Sequence, residues 1–139
     1  MSTLVFNEFK NKLALNEINL NTISLKIALM DSSILTLSNL EDYISYSEIS
    51  SYEVSGTGYT TSGKTLTNLT ITKDNVKNKI FLDADDVVWS SSVISAVGAL
   101  IYVNTTGELV LFEQYSTIED SNNGSFYHNF NSNGILTIS

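Results

Sequence analysis

The run Val93 to Val103, VISAVGALIYV, restricts the folding of this chain more than any other stretch. In an extended conformation Val97, Ala99, Ile101 and Val103 share one face, and Ile94, Ala96, Leu100 and Tyr102 share the other. A strand that is apolar on both faces must be covered on both, which predicts a central strand of a packed sheet. Gly98, in its middle, predicts either a bulge or a close approach of backbone.

Ser2-Thr3 ahead of LVFNEFKNKLAL predicts a short amphipathic helix over Thr3 to Leu15, with Leu4, Val5, Phe9, Leu13 and Leu15 as its apolar stripe. Ile23, Leu25, Ile27 and Leu29 alternate with Ser24, Lys26 and Ala28, the pattern of a half-buried strand. Between Asp31 and Ser51 the periodicity loosens, and short helical turns are expected at 39–44 and 47–52, with Ser47 as a cap. Val54 to Gly63 is a glycine-rich loop. Lys64 to Thr72 and Lys77 to Leu82 then read as strands joined by an Asp/Asn turn.

In the C-terminal half, Asn104 to Gly107, Ser121 to Gly124 and Asn131 to Gly134 separate short β segments, as in a meander. The resulting expectation is a mainly β protein, an antiparallel β-sandwich of jelly-roll type with one short N-terminal amphipathic helix. All 139 residues are expected in one domain, with 1–20 as helix and connection and 21–139 as the sandwich.

Several functions are disfavoured by residue type. Seven lysines face 15 acidic residues, a net charge of -8 that repels nucleic acid. Without cysteine there is neither a disulfide framework nor a cysteine zinc centre. No apolar run is long enough to span a bilayer, no secretory signal is recognised, and no cofactor is expected. Gly58 to Thr65, GYTTSGKT, spells a P-loop, but the LTNLTIT after it favours a strand where a P-loop needs a helix. Asp83, Asp85 and Asp86 are weak calcium candidates that lack the spaced ligands of an EF-hand and are better read as a turn. His128, the only histidine, is expected on a strand facing solvent or a partner. No spacing selects a catalytic pair, including Glu53 with Glu113, so no enzyme is expected.

Five blocks in order, KIALM, YEVSGTGYTTSGKTLTN, DADDVVW, ISAVGALIY and SNGILTIS, resemble a family of small virion structural proteins of tailed bacteriophages. Two positions depart from that family's pattern: Val97 stands where an arginine is usual, and Phe130 near where a tryptophan is frequent. The resemblance implies a virion location and a non-enzymatic part such as a capsid decoration, head fibre or neck and tail component. It implies a homo-oligomer contacting other virion proteins, with Gly56, Gly58 and Gly63 shaping a structural loop and Trp89 in the core or at a subunit contact. Tyr43, Tyr46, Tyr59, Tyr127 and Phe130 are the interface candidates, because tyrosine buries a large area while keeping a polar partner for its hydroxyl. The alternative is a module binding host-surface glycan, with Tyr59, Tyr102 and Tyr127 stacking on sugar.

Overall fold

A computed structural model describes residues Met1–Ser139. It is mainly β, built from antiparallel sheets with little helix. The largest sheet has five strands in the order β1 (Ser2–Val5), β8 (Leu109–Asp120), β7 (Ser95–Val103), β2 (Leu25–Met30), β3 (Lys64–Thr65). As the apolar run predicts, β7 is central, and every residue from Ala96 to Val103 is buried. Gly98 meets both expectations. The β7–β8 register shifts between Ala96 and Gly98, and a Cβ on Gly98 would lie 2.4 Å from the Glu113 carbonyl oxygen and 2.6 Å from the Phe112 ring. The Asn104–Gly107 turn closes the β7–β8 hairpin as expected, with Gly107 at a φ of 79° and its N–H donating to the Val103 carbonyl.

The N-terminus departs from expectation. Ser2–Val5 is a strand paired with β8, and the helix, α1, covers only Asn7–Ala14. Thr3 and Val5 are β-branched, and the open edge of β8 supplies hydrogen bonds that a first helical turn would lack. Phe6 marks the change: it is fully buried, its N–H donates to the Val110 carbonyl, and it places Phe9 of α1 in the core. Residues 1–20 are therefore more than helix and connection.

β2 is also more buried than its alternation predicts. Only Lys26 is partly exposed, because Ala28 and Met30 are covered on the second face. The turns that follow are a 3-10 segment at Ser32–Thr36, another at Leu40–Asp42, the single α-turn α2 (Tyr46–Ile49) and a 3-10 segment at Ser50–Tyr52. The cap before α2 is one residue pair earlier than Ser47. Glu48 reaches back to accept the Ile44 and Ser45 N–H groups at 2.9 and 2.8 Å.

Lys64 to Thr72 is not one strand. Lys64–Thr65 ends the large sheet as β3, Asn68 takes a φ of 55°, and the chain re-forms as β4 (Thr70–Asp74) in a three-stranded sheet ordered β10 (Leu136–Ile138), β5 (Lys79–Asp83), β4. A third, two-stranded sheet pairs β6 (Val87–Trp89) with β9 (Phe126–His128). The C-terminal segments thus form no meander. Their turns are where expected, but β9 and β10 return onto β6 and β5 instead of onto β8. The bend between β5 and β6 lies against the bend between β9 and β10. Ile135 N–H donates to the Leu82 carbonyl at 2.6 Å and Phe130 N–H to Asp86 at 2.8 Å.

Candidate functional site

The glycine-rich loop is held by one carboxylate. Glu53 accepts from the Tyr46 hydroxyl, from the Tyr59 hydroxyl at 2.5 Å and from the Ser62 N–H at 2.9 Å. Tyr59 accepts in turn from the Leu29 N–H at 3.0 Å, and Tyr102 donates to the Ser62 carbonyl at 2.6 Å, so the loop is tied to β2 and β7. Gly63 is required there: at a φ of 78° a Cβ would lie 1.8 Å from the Ile27 carbonyl oxygen. Burial, and then the hydrogen bonds to Glu53, push the Tyr46 and Tyr59 phenols well above their ordinary range. Burial pushes Tyr102 up to about 12. The GKT letters have a structural role, since Gly63 closes the loop, Lys64 opens β3 and its Nζ donates to the Val88 carbonyl at 2.6 Å, 5.7 Å above the Trp89 ring.

A row of rings continues from this loop. Tyr59 lies 5.9 Å from Trp89, Trp89 6.0 Å from Phe126, Phe126 6.1 Å from Tyr115, Tyr115 5.7 Å from His128, and His128 4.9 Å from Phe130. The row lies between β8 of the large sheet and the β6–β9 pair, and Trp89 is buried within it. His128 is buried too, contrary to the expectation of a solvent-facing residue. Register explains the difference: Val87 pairs with His128 and Trp89 with Phe126 on the inward face, leaving Val88 and Tyr127 outward. Tyr115 Oη lies 2.8 Å from His128 Nδ1, and His128 Nε2 lies 3.2 Å from Glu113 Oε2. If Tyr115 donates to Nδ1, the Nε2 proton faces the buried carboxylate, although its angle is poor for a hydrogen bond. Burial, ahead of the Glu113 charge, raises the Tyr115 phenol far above its ordinary range.

Of the interface candidates, Tyr127 is the one left open, at 63% exposed. Tyr46 and Tyr59 are turned inward onto Glu53, while Tyr43 and Phe130 are half-buried against the core. The three aromatics proposed for sugar stacking do not share a face, because Tyr102 is buried, stacked 4.6 Å from Tyr46. The carboxylates of the acidic corner diverge. Asp83 accepts from Ala84 N–H, Asp85 from the side chains of Thr67 and Asn68, and Asp86 from Phe130 N–H. Glu53 and Glu113 likewise serve different clusters.

Two surface features have no counterpart in the sequence reading. One is a cleft of about 610 Å³ where the loop after Glu53 meets the start of β7 and the end of β8; Asp31, Glu53 and Asp120 line it, with Val54, Val93 and Ile94. The β2–β7–β8 register brings these carboxylates together across 89 positions of sequence, from Asp31 to Asp120. The other is the β4–β5–β10 sheet, where Ile71, Ile80 and Ile138 share one face and remain 40–47% exposed. No family model, curated protein or solved structure matches the chain.

Proposed function

We propose that this chain is a non-enzymatic structural component of a bacteriophage virion, an antiparallel β-sandwich of jelly-roll type that assembles through protein contacts. Its place is that of a capsid decoration, head fibre or neck and tail accessory, in several copies beside other virion proteins. The observation that carries the reading is the aliphatic face of the small sheet. Ile71, Ile80 and Ile138 lie together on one face of that sheet at 40–47% exposed, and Val76 at its hairpin tip is 91% exposed, on a protein of net charge -8 that is rich in Asn, Ser and Thr. An aliphatic face with a polar surround is the pattern of a protein-contact surface.

The five sequence blocks supply the particle, and the row of rings between β8 and the β6–β9 pair supports two packed layers. Glu53, Glu113 and His128 each face an internal partner, which supports a role for them in the fold. Negative-stain microscopy of purified particles, probed with antibody to the folded chain, tests the reading. Labelling at a repeated position on head, neck or tail is the expected result. Particles that bind no antibody and yield no peptide of this chain by mass spectrometry refute it.

A further inference from the structure

We propose that copies of this chain associate head to tail, the β4–β5 hairpin of one copy entering the acidic cleft at Asp31, Glu53 and Asp120 of the next. The inference rests on the self-association part of the reading above and names the two surfaces that perform it.

The hairpin concentrates the scarce positive charge. Residues 73–79 contain three of the seven lysines and one aspartate, a net charge of +2, so the remainder of the chain carries -10 of the total -8. Of the four other lysines, Lys12 pairs with Glu108 at 2.7 Å and Lys64 donates to the Val88 carbonyl, while Lys10 and Lys26 stand singly; within the hairpin Lys79 donates to Asn133. Lys73 and Lys77 form no ion pair. The tip is also shaped in advance. Asp74 accepts the Val76 and Lys77 N–H groups, both at 3.0 Å, and Asn78 takes a φ of 53°, which fixes the turn with Val76 outward. A preformed tip loses little conformational freedom on docking.

The charge selects the occupant. Lys73 pairs with Ile80 in register and so lies on the aliphatic face; two such faces meeting across a two-fold axis would bring lysines of both copies together. An acidic surface is preferred, and the cleft supplies one with an apolar floor. Val54 and Ile94 are buried at its base, Val93 is exposed at its side, and Asp120 makes no side-chain hydrogen bond or ion pair. Val76 meets the apolar floor while Lys73 and Lys77 meet the free Asp120 carboxylate and the second oxygen of Asp31, whose first accepts from Ser33; Glu53 stays with Tyr46, Tyr59 and Ser62. Because hairpin and cleft are different surfaces, each copy can use both at once, and the contact repeats into a closed ring or a filament.

The test is sedimentation velocity over a concentration series, at low salt and near 1 M salt, where the Debye length falls to about 3 Å. The parent is expected to self-associate at low salt and to dissociate at high salt. Lys73→Gln with Lys77→Gln alters the hairpin only, removing its charge without reversing it. Asp120→Lys with Ser55→Lys alters the cleft only, at two exposed positions outside the Glu53 clasp. Each pair should weaken association by about tenfold or more. An equimolar mixture of the two variants retains one good hairpin and one good cleft, so it should form a complex that stops at two chains. Circular dichroism confirms that both variants are folded. A parent that remains monomeric throughout overturns the inference. A parent that associates equally with either variant's changes overturns these two surfaces but leaves self-association standing. Neither outcome bears on whether antibody finds the chain on particles.

Discussion

Glu53→Ala removes the acceptor shared by three donors from separate parts of the chain, the Tyr46 and Tyr59 hydroxyls and the Ser62 N–H. A hydrogen bond to a charged acceptor contributes about 1.5–3 kcal/mol where water is excluded. Tyr46 and Ser62 lie closer to solvent and recover water when the carboxylate is gone, so their share is reduced. Tyr59 is more deeply buried and keeps only the Leu29 N–H as a partner. The expected loss is therefore nearer that of one or two bonds than three, about 2–4 kcal/mol, and Glu53→Gln, which keeps one acceptor oxygen, loses about half as much. Urea unfolding gives both values from the shift in midpoint at constant slope. Hydrogen exchange adds a local signature: amides of residues 54–63 should lose protection before those of β7. A loss under about 0.5 kcal/mol for Glu53→Ala, the scale of an ordinary surface change, refutes the clasp.

Ile101→Asp places a carboxylate between β2 and β8 without a partner; a loss of about 4 kcal/mol or more and little soluble protein are expected, and a variant as stable as its parent refutes the central placement of β7. His128→Phe takes away the ring partner of the Tyr115 hydroxyl and the polar neighbour of the buried Glu113 and should lose about 1–3 kcal/mol in urea unfolding, while adding Glu113→Leu should recover part of it; equal losses in single and double variants deny the coupling. Burial raises the Tyr46, Tyr59 and Tyr115 phenols and brings Tyr102 to about 12, so above the ordinary value of 10.0 the folded chain holds protons that the unfolded chain has released. Stability is then full below pH 10 and falls as the pH rises beyond it, and a flat stability curve across that range contradicts the burial of these hydroxyls. Since Asp83, Asp85 and Asp86 are drawn to three different partners, a thermal melt should be unchanged by EDTA; a large drop restores the calcium reading of that corner.

What was legible in the sequence was local. Two apolar faces on one strand can be read as burial on both sides, and the Asn104–Gly107 turn needs only its own residues to form a hairpin. The other turns were equally legible as reversals, but a reversal does not say which strand the chain returns to. Ser121–Gly124 and Asn131–Gly134 look like hairpin turns, yet the strands beyond them pair with β6 and β5. Ser2–Val5 fails for the opposite reason. Its residues fit either a helix or an edge strand, and the free edge of β8, more than a hundred positions away, decides between them.

The clusters needed this non-local information throughout. FYH alternates in either parity, and only the pairing of Trp89 with Phe126 sends His128 inward toward Glu113 while leaving Tyr127 outside. Glu53 gathers donors at 46, 59 and 62, a spacing that no catalytic or capping pattern marks. The lysines at 73, 77 and 79 were visible as letters, but in a chain of net charge -8 they read as a minor correction to an acidic total. Placed on one projecting hairpin beside an uncovered aliphatic face, they make the surface polar in the electrical sense, basic at the hairpin and acidic over the remainder. Uniform negative charge would keep copies apart in every orientation; charge separated in this way keeps most orientations repulsive and leaves the hairpin-to-cleft approach attractive. The same lysines that barely change the net charge can therefore decide the direction in which copies meet.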